Sequence, residues 1–181
     1  MILSEQTFIE LAGKQEVLDA KIKQANGVEE LPLRRIGLYY RVELGECINE
    51  MKGDFKHWSD KPMRRMEFIE EFVDCLHFFL SYVNHAIVNE FIREMNGLTI
   101  ESEYKDLMDD YYGYEGYVNS STDIVEPVDI AIDAISEKKI FKSFAILLNL
   151  VKLYGYSEQD IIDTYNRKNS INHERSDSGV Y

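Results

Sequence analysis

Two short stretches of this chain space carboxylates so that they could hold a metal ion. Glu43-Leu44-Gly45-Glu46 sets two acids three residues apart, and Glu71-Phe72-Val73-Asp74 repeats the spacing. On a helix, positions i and i+3 share a face. If the two helices pack antiparallel, the pairs can converge. Four anions held together in a low-dielectric site repel strongly. Hard divalent cations relieve that repulsion, and Mg²⁺ favours such oxygen ligands together with substrate phosphate. Two such ions could clamp a phosphoryl centre and activate water. A plain solvated helix face competes with this reading. With 33 acids in 181 residues, about six acid-x-x-acid pairs arise by chance. Context sets these pairs apart and leaves both readings open: Leu44, Cys47, Phe72, Val73, Cys75 and Leu76 surround them. Burial among them without a cation would be costly.

Other metals fit less well. A di-iron carboxylate bundle uses two Glu-x-x-His pairs, and only Asp74-Cys75-Leu76-His77 resembles one. The four His (57, 77, 85, 173) and two Cys (47, 75) make no paired zinc spacing.

The positioning elements read as helices. Phe8, Leu11, Gln15, Leu18 and Ile22 form one stripe, predicting a helix over about 4–25 that Asn26 and Gly27 stop. A second helix is predicted from Pro32 to about Trp58. A third starts near Asp60 and Pro62 and reaches Met95, apolar around much of its girth and therefore central. Residues 99–137 hold eleven acids against one base, hence ten of the thirteen net negative charges, with five tyrosines, Gly113 and Gly116. They read as a loop-rich acidic insertion, 99–137, on an all-α antiparallel helix-bundle core of 1–98 and 138–181. Helical periodicity returns at about 137–155 and ends at Gly155, and Ser157 with Asp160 signals the next start. A polar tail from about 170 is expected to be mobile without ligand.

A formal charge of −13 disfavours direct nucleic-acid binding, because phosphates are repelled unless a basic patch offsets the field. An anionic ligand would need metal ions or a few local Lys and Arg. No apolar run approaches a membrane span, and the first residues do not resemble a signal peptide. Free cysteines fit a reducing cytoplasm. The expectation is a soluble, cytoplasmic protein with no membrane partner.

Taken together, these residues resemble the dimeric all-α dUTPases, within the wider all-α NTP pyrophosphatase group that includes MazG-like enzymes. The signature is E-x-x-E followed by E-x-x-D on the next helix. Also similar are Asn49-Glu50, Lys56-His57-Trp58, the run Glu71 to Phe78, and Gln15-x-x-Leu18-Asp19. Near the C-terminus, Tyr165 through Arg175 resembles a phosphate-contacting motif, and Gly179-Val180-Tyr181 a glycine-tyrosine end. The resemblance covers about 1–90 and 138–181. It implies hydrolysis of dUTP, and of dUDP, to dUMP, with pyrophosphate released from dUTP. It implies Mg²⁺ and a homodimer whose partner completes the site. It also implies a phage-type variant in a bacterial host, whose acidic 99–137 surface could bind a pathogenicity-island repressor protein. Glu43, Glu46, Glu71 and Asp74 are then metal ligands. Glu43, preferred over Glu46, orients or deprotonates the attacking water. Lys56, Lys168, Asn172 and Arg175 are candidate phosphate contacts. Asn169 serves metal or phosphate, and Tyr165 packs on the sugar. Trp58 and Phe78 are candidate walls of a uracil slot, with core packing as the plainer reading of Phe78. Gln15 offers an amide to the pyrimidine edge, assisted by Asp19; an Asn would be expected near Asp19. His77 is a substrate-site candidate that also reads as a satisfied core histidine. Two other functions stay open: an all-α pyrophosphatase for dCTP or noncanonical nucleotides, and a nonenzymatic helical interaction protein.

Overall fold

A computed structural model describes residues 2–88 and 97–179. Among them are seven α-helices, one 3-10 turn and no strand: α1 (Glu5–Asn26), α2 (Leu33–Glu50), η1 (Lys52–Asp54), α3 (Arg65–Val88), α4 (Ile100–Ser120), α5 (Val125–Ser136), α6 (Ile140–Leu153) and α7 (Glu158–Ser178). The all-α expectation holds. Several helix ends follow local signals in the sequence. Ser4 caps α1 by accepting from the Thr7 N–H, and Gly27 closes it at φ 63°. Ser157 and Asp160 form a capping box at α7, and Gly155, at φ 81°, follows α6.

α3 is the central element, with α1, α2, α6 and α7 all packed on it. Phe72 and Phe79 both stack on Phe144 of α6, with centroids 5.8 and 4.2 Å apart. α2 runs antiparallel to α3. Tyr39 meets Phe78, the Cys47 thiol lies 3.8 Å from the Phe68 carbonyl, and the Glu50 carbonyl accepts from the Arg64 N–H at 3.0 Å. Ascending numbers on one helix thus meet descending numbers on the other.

Three helix expectations need correction. α2 stops at Glu50, not near Trp58, because the chain folds back tightly over Gly53. The Gly53 N–H donates to the Lys61 carbonyl at 2.9 Å, and a Cβ at Gly53 would stand 2.6 and 2.7 Å from the carbonyl oxygens of Ser59 and Lys61. That contact and the Arg64–Glu50 backbone bond hold 59–64 out of helix, so α3 starts at Arg65. Its expected extension to Met95 falls on residues outside those described. The C-terminal segment is helical to Ser178, not a mobile tail; Lys21 ties it down through Asp177 at 2.7 Å and the His173 carbonyl at 3.2 Å.

The loop-rich reading of 99–137 is also corrected. Most of the segment is α4 and α5. Tyr104, Leu107, Met108, Tyr111 and Val118 line the inner face of α4, while Val128, Ala131 and Ile135 do so on α5; all join the hydrophobic core. Tyr104 donates to the Leu3 carbonyl, and Asn149 of α6 donates to the Tyr111 carbonyl. The acids face outward except Glu103, which is buried, and Asp110 and Glu115, which are half-buried. Gly113 and Gly116 read as loop signals, yet they sit inside α4 with open space around them.

Two substitutions test this account. Gly53→Ala should destabilise by about 1–3 kcal/mol, since the clash is with backbone. Gly113→Ala should stabilise by up to about 1 kcal/mol, as expected for an exposed helix interior. Urea denaturation reads both. An unchanged midpoint for Gly53→Ala would show that the turn opens freely.

Candidate active site

The antiparallel α2–α3 contact brings the carboxylates together. One oxygen each from Glu43, Glu46 and Glu71 lies within 4.8 Å of the others. Glu43 and Glu71 are half-buried and Glu46 is exposed. Asp74, one turn past Glu71, is outside this 4.8 Å group but close enough to act on Glu43, and its carboxylate lies against the Lys168 ammonium of α7. The adjacent Arg167 pairs with Glu70 at 2.8 Å. Three helices therefore meet here, two supplying acids and one supplying bases.

The like charges shift one another. Burial, then the fields of Asp74, Glu46 and Glu71, push the Glu43 carboxyl up to about 7, against Lys168. Burial raises Glu71 as well, with Lys168 opposing and Asp74 adding. Burial raises Asp74, and Lys168 and Arg175 oppose it. This donor set is all oxygen, partly desolvated and undercompensated, so it fits a hard divalent cation.

A second polar cluster lies between α1, α3 and α7. The Gln15 Oε1 accepts from the Tyr165 hydroxyl at 3.0 Å and lies 2.6 Å from the His77 Nδ1. Its amide nitrogen donates to Asp19 at 2.7 Å. The His77 ring stacks on Tyr165 at 4.2 Å. Burial, aided by Lys168, lowers His77 to about 3, so the ring is neutral. With Nδ1–H donating to Gln15, its Nε2 is left an acceptor. That Nε2, the Asp19 Oδ2 and the Asn169 Nδ2 are buried without a hydrogen-bond partner among the described residues. Such groups are costly unless something else satisfies them.

The other candidates spread around these two clusters. Phe78 packs on Tyr39 at 5.3 Å between centroids; this aromatic pair lies one helical turn from Asp74 and Glu43. Lys56 donates to Asn49, one turn beyond Glu46. Trp58 is 72% exposed on the loop after η1, with its ring edge-on to His57. Asn172 is half-buried and Arg175 exposed on α7. Sequence reasoning missed Tyr39, Ser81 and His85. His85 Nδ1 stands 3.7 Å from the Asp19 Oδ2. The available signal was the polar spacing His77, Ser81, His85, every fourth residue of an otherwise apolar helix.

An all-α bundle that gathers carboxylates beside Lys and Arg is of the class that handles phosphate esters through a metal ion. The family model described as dUTPase matches residues 7–180. The chain belongs to the dUTPase family and is a dUTP diphosphatase. No curated protein matches it.

Glu43 sets a pH test. Its raised carboxyl contributes stability that is full below its unfolded value of 4.5 and lost as pH rises through about 7. Metal-free protein should therefore lose thermal stability between pH 5 and 8 more steeply than Glu43→Gln does. A divalent cation should raise the melting temperature more at pH 8 than at pH 5. Equal pH slopes for the two proteins would show that Glu43 is not under this strain.

Proposed function

We propose that this enzyme is a Mg²⁺-dependent dUTP diphosphatase that converts dUTP to dUMP and pyrophosphate, and dUDP to dUMP and phosphate. The carrying observation is the convergence of Glu43, Glu46 and Glu71 within 4.8 Å, flanked by the Lys168–Asp74 pair. Glu43, Glu46, Glu71 and Asp74 would hold the cation, which when bound neutralises phosphate charge and polarises the phosphoryl group. Glu43 is the preferred base because it is the more buried of its pair. One of its oxygens takes the proton from the attacking water. Lys168 exchanges Asp74 for a phosphate oxygen, and Arg175, Asn172 and Lys56 add contacts to the chain of phosphates.

The buried cluster is the nucleoside end of this reading. The unpartnered His77 Nε2, Asp19 Oδ2 and Asn169 Nδ2 offer two acceptors and one donor; an acceptor suits the uracil N3–H and the Asn169 donor suits a uracil carbonyl. Gln15 holds His77 and Asp19 in register. Tyr165 packs beside the sugar. Phe78 with Tyr39, and Trp58 from its loop, supply aromatic walls. A polar site of this kind rejects analogues that leave its buried groups unpaired.

Homodimerisation belongs to the same reading, with the exposed Trp58 covered by substrate or a second copy. The outer face of α4 and α5, with exposed Asp106, Asp109, Tyr112, Glu126 and Asp129, suits a basic protein such as a phage-controlled repressor. Charge reversal there, rather than deletion, is the informative change, because the inner faces are core. Two free buried thiols, Cys47 and Cys75, fit a reducing cytoplasm.

A nucleotide panel with and without Mg²⁺ tests the activity. Pyrophosphate release should require the ion and favour dUTP over dCTP and dTTP by about 100-fold or more. Comparable rates on dCTP would move the enzyme to a broader pyrophosphatase specificity. No release from any nucleotide would leave an interaction protein. Glu43→Gln should bind dUTP and Mg²⁺ yet turn over at least about 100-fold more slowly.

A further inference from the structure

A sizeable cavity lies apart from the carboxylate site. It has a volume of about 730 Å³ and opens where the start of α2 meets α3 and the α5–α6 corner. Arg34, Arg35, Arg41 and Lys138 line it, and no carboxylate does. In a chain of net charge −13, four bases around one concavity reverse the local field. Among the described residues no acid pairs with Arg34, Arg35 or Lys138; the nearby Glu137 is taken by Lys139 at 2.7 Å. Arg41 spends one donor on the Ile135 carbonyl at 3.1 Å, which leaves its fork fixed and partly free.

Lys138 adds a separate observation. It sits at φ 65°, a left-handed position that Gly fills at least cost. A lysine there is conformationally unfavourable, and its side chain lines the cavity. Glycine would cost less at this φ, so the lysine charge is held at the cavity at some conformational expense.

Apart from Arg35, the α2 residues named on this cavity sit away from the carboxylates. At 3.6 residues per turn, Arg34, Gly37, Leu38 and Arg41 fall within roughly 100° of one another, with Glu43 roughly 170° and Glu46 roughly 130° away; Arg35 shares the side of Glu46 but lies about 16 Å along the helix from it. We infer that this cavity binds a small phosphate-bearing anion, at a site independent of the carboxylate centre. The bases take a di- or triphosphate group in charge-assisted hydrogen bonds. The wall formed by Tyr82 with Leu38 is apolar enough to accept a nucleoside. Size and concavity favour a small ligand over an acidic protein segment.

Isothermal titration of the full chain in EDTA and low salt tests this, since without a cation the carboxylate face repels anions. Inorganic pyrophosphate should bind once per chain, and Arg34→Gln/Lys138→Gln should weaken it by about tenfold or more. Lys168→Gln should leave it unchanged. ATP binding tighter than pyrophosphate identifies a nucleotide as the source of the phosphates; equal affinity identifies free polyphosphate. Lys138→Gly is the second variant: it should melt higher than the parent while binding more weakly, which a purely structural lysine would not do. Four outcomes overturn the proposal: no binding of either probe, binding lost in Lys168→Gln, affinity unaffected by the double variant, or binding of a polyglutamate peptide that pyrophosphate does not displace.

Discussion

Three carboxylates cannot gather on a protein surface unless something stronger forces them together. At an effective dielectric of about 20, two full charges some 5 Å apart repel by about 3 kcal/mol, less where solvent screens Glu46. The force that holds them is apolar. Leu44, Cys47, Phe68, Phe72, Cys75 and Leu76 are essentially buried along the α2–α3 contact, and each large side chain there contributes about 1.5–3 kcal/mol. The acids ride on helices whose packing is set one position away. Relief of the remaining repulsion is left to Lys168, to protonation of Glu43, or to a cation.

α3 carries this constraint along one broad face. Glu71 and Asp74 face α2 and α7, while His77, Ser81 and His85 continue the face toward α1. Phe72, Leu76 and Phe79 are buried on the opposite face, with Phe72 and Phe79 stacked on Phe144, and fix the rotation of the helix. Lys168 links them: its ammonium meets Asp74, and its charge helps keep His77 neutral. The carboxylate cluster and the buried polar cluster are thus registered on one rigid element, the alignment that the proposed reaction at a particular phosphorus would need.

The sequence carried the parts that are local. The i, i+3 carboxylate pairs, the Ser157 cap and the stops at Gly27 and Gly155 were all readable, because each depends on a few neighbouring residues. What was not readable depended on tertiary context. Gly53 ends α2 because another strand of backbone crosses it, and nothing near Gly53 in sequence signals that crossing. Gly113 and Gly116 suggested loops, but the apolar spacing of Tyr104, Leu107, Met108, Tyr111 and Val118 outweighs about 1 kcal/mol of propensity for each glycine. Acid density also misled, since a charged outer face says nothing about the inner one. At the site, Gln15, Asp19, His77 and Tyr165 were each legible through the resemblance to the family, while their mutual hydrogen bonding was not.

Charge order follows from the same geometry. An anionic nucleotide approaching the carboxylate face alone meets three acids within 4.8 Å and a Lys168 already engaged by Asp74. Lys168 gains little by leaving Asp74 for a phosphate, because one ion pair replaces another and Asp74 is stranded. The exchange becomes favourable only when Asp74 acquires a new positive partner at the same moment. In the proposed reaction cation and nucleotide would therefore be coupled ligands of this face, each lowering the cost of the other. The acidic surface, which looks ill-suited to a triphosphate, would thereby discriminate against the uncomplexed anion.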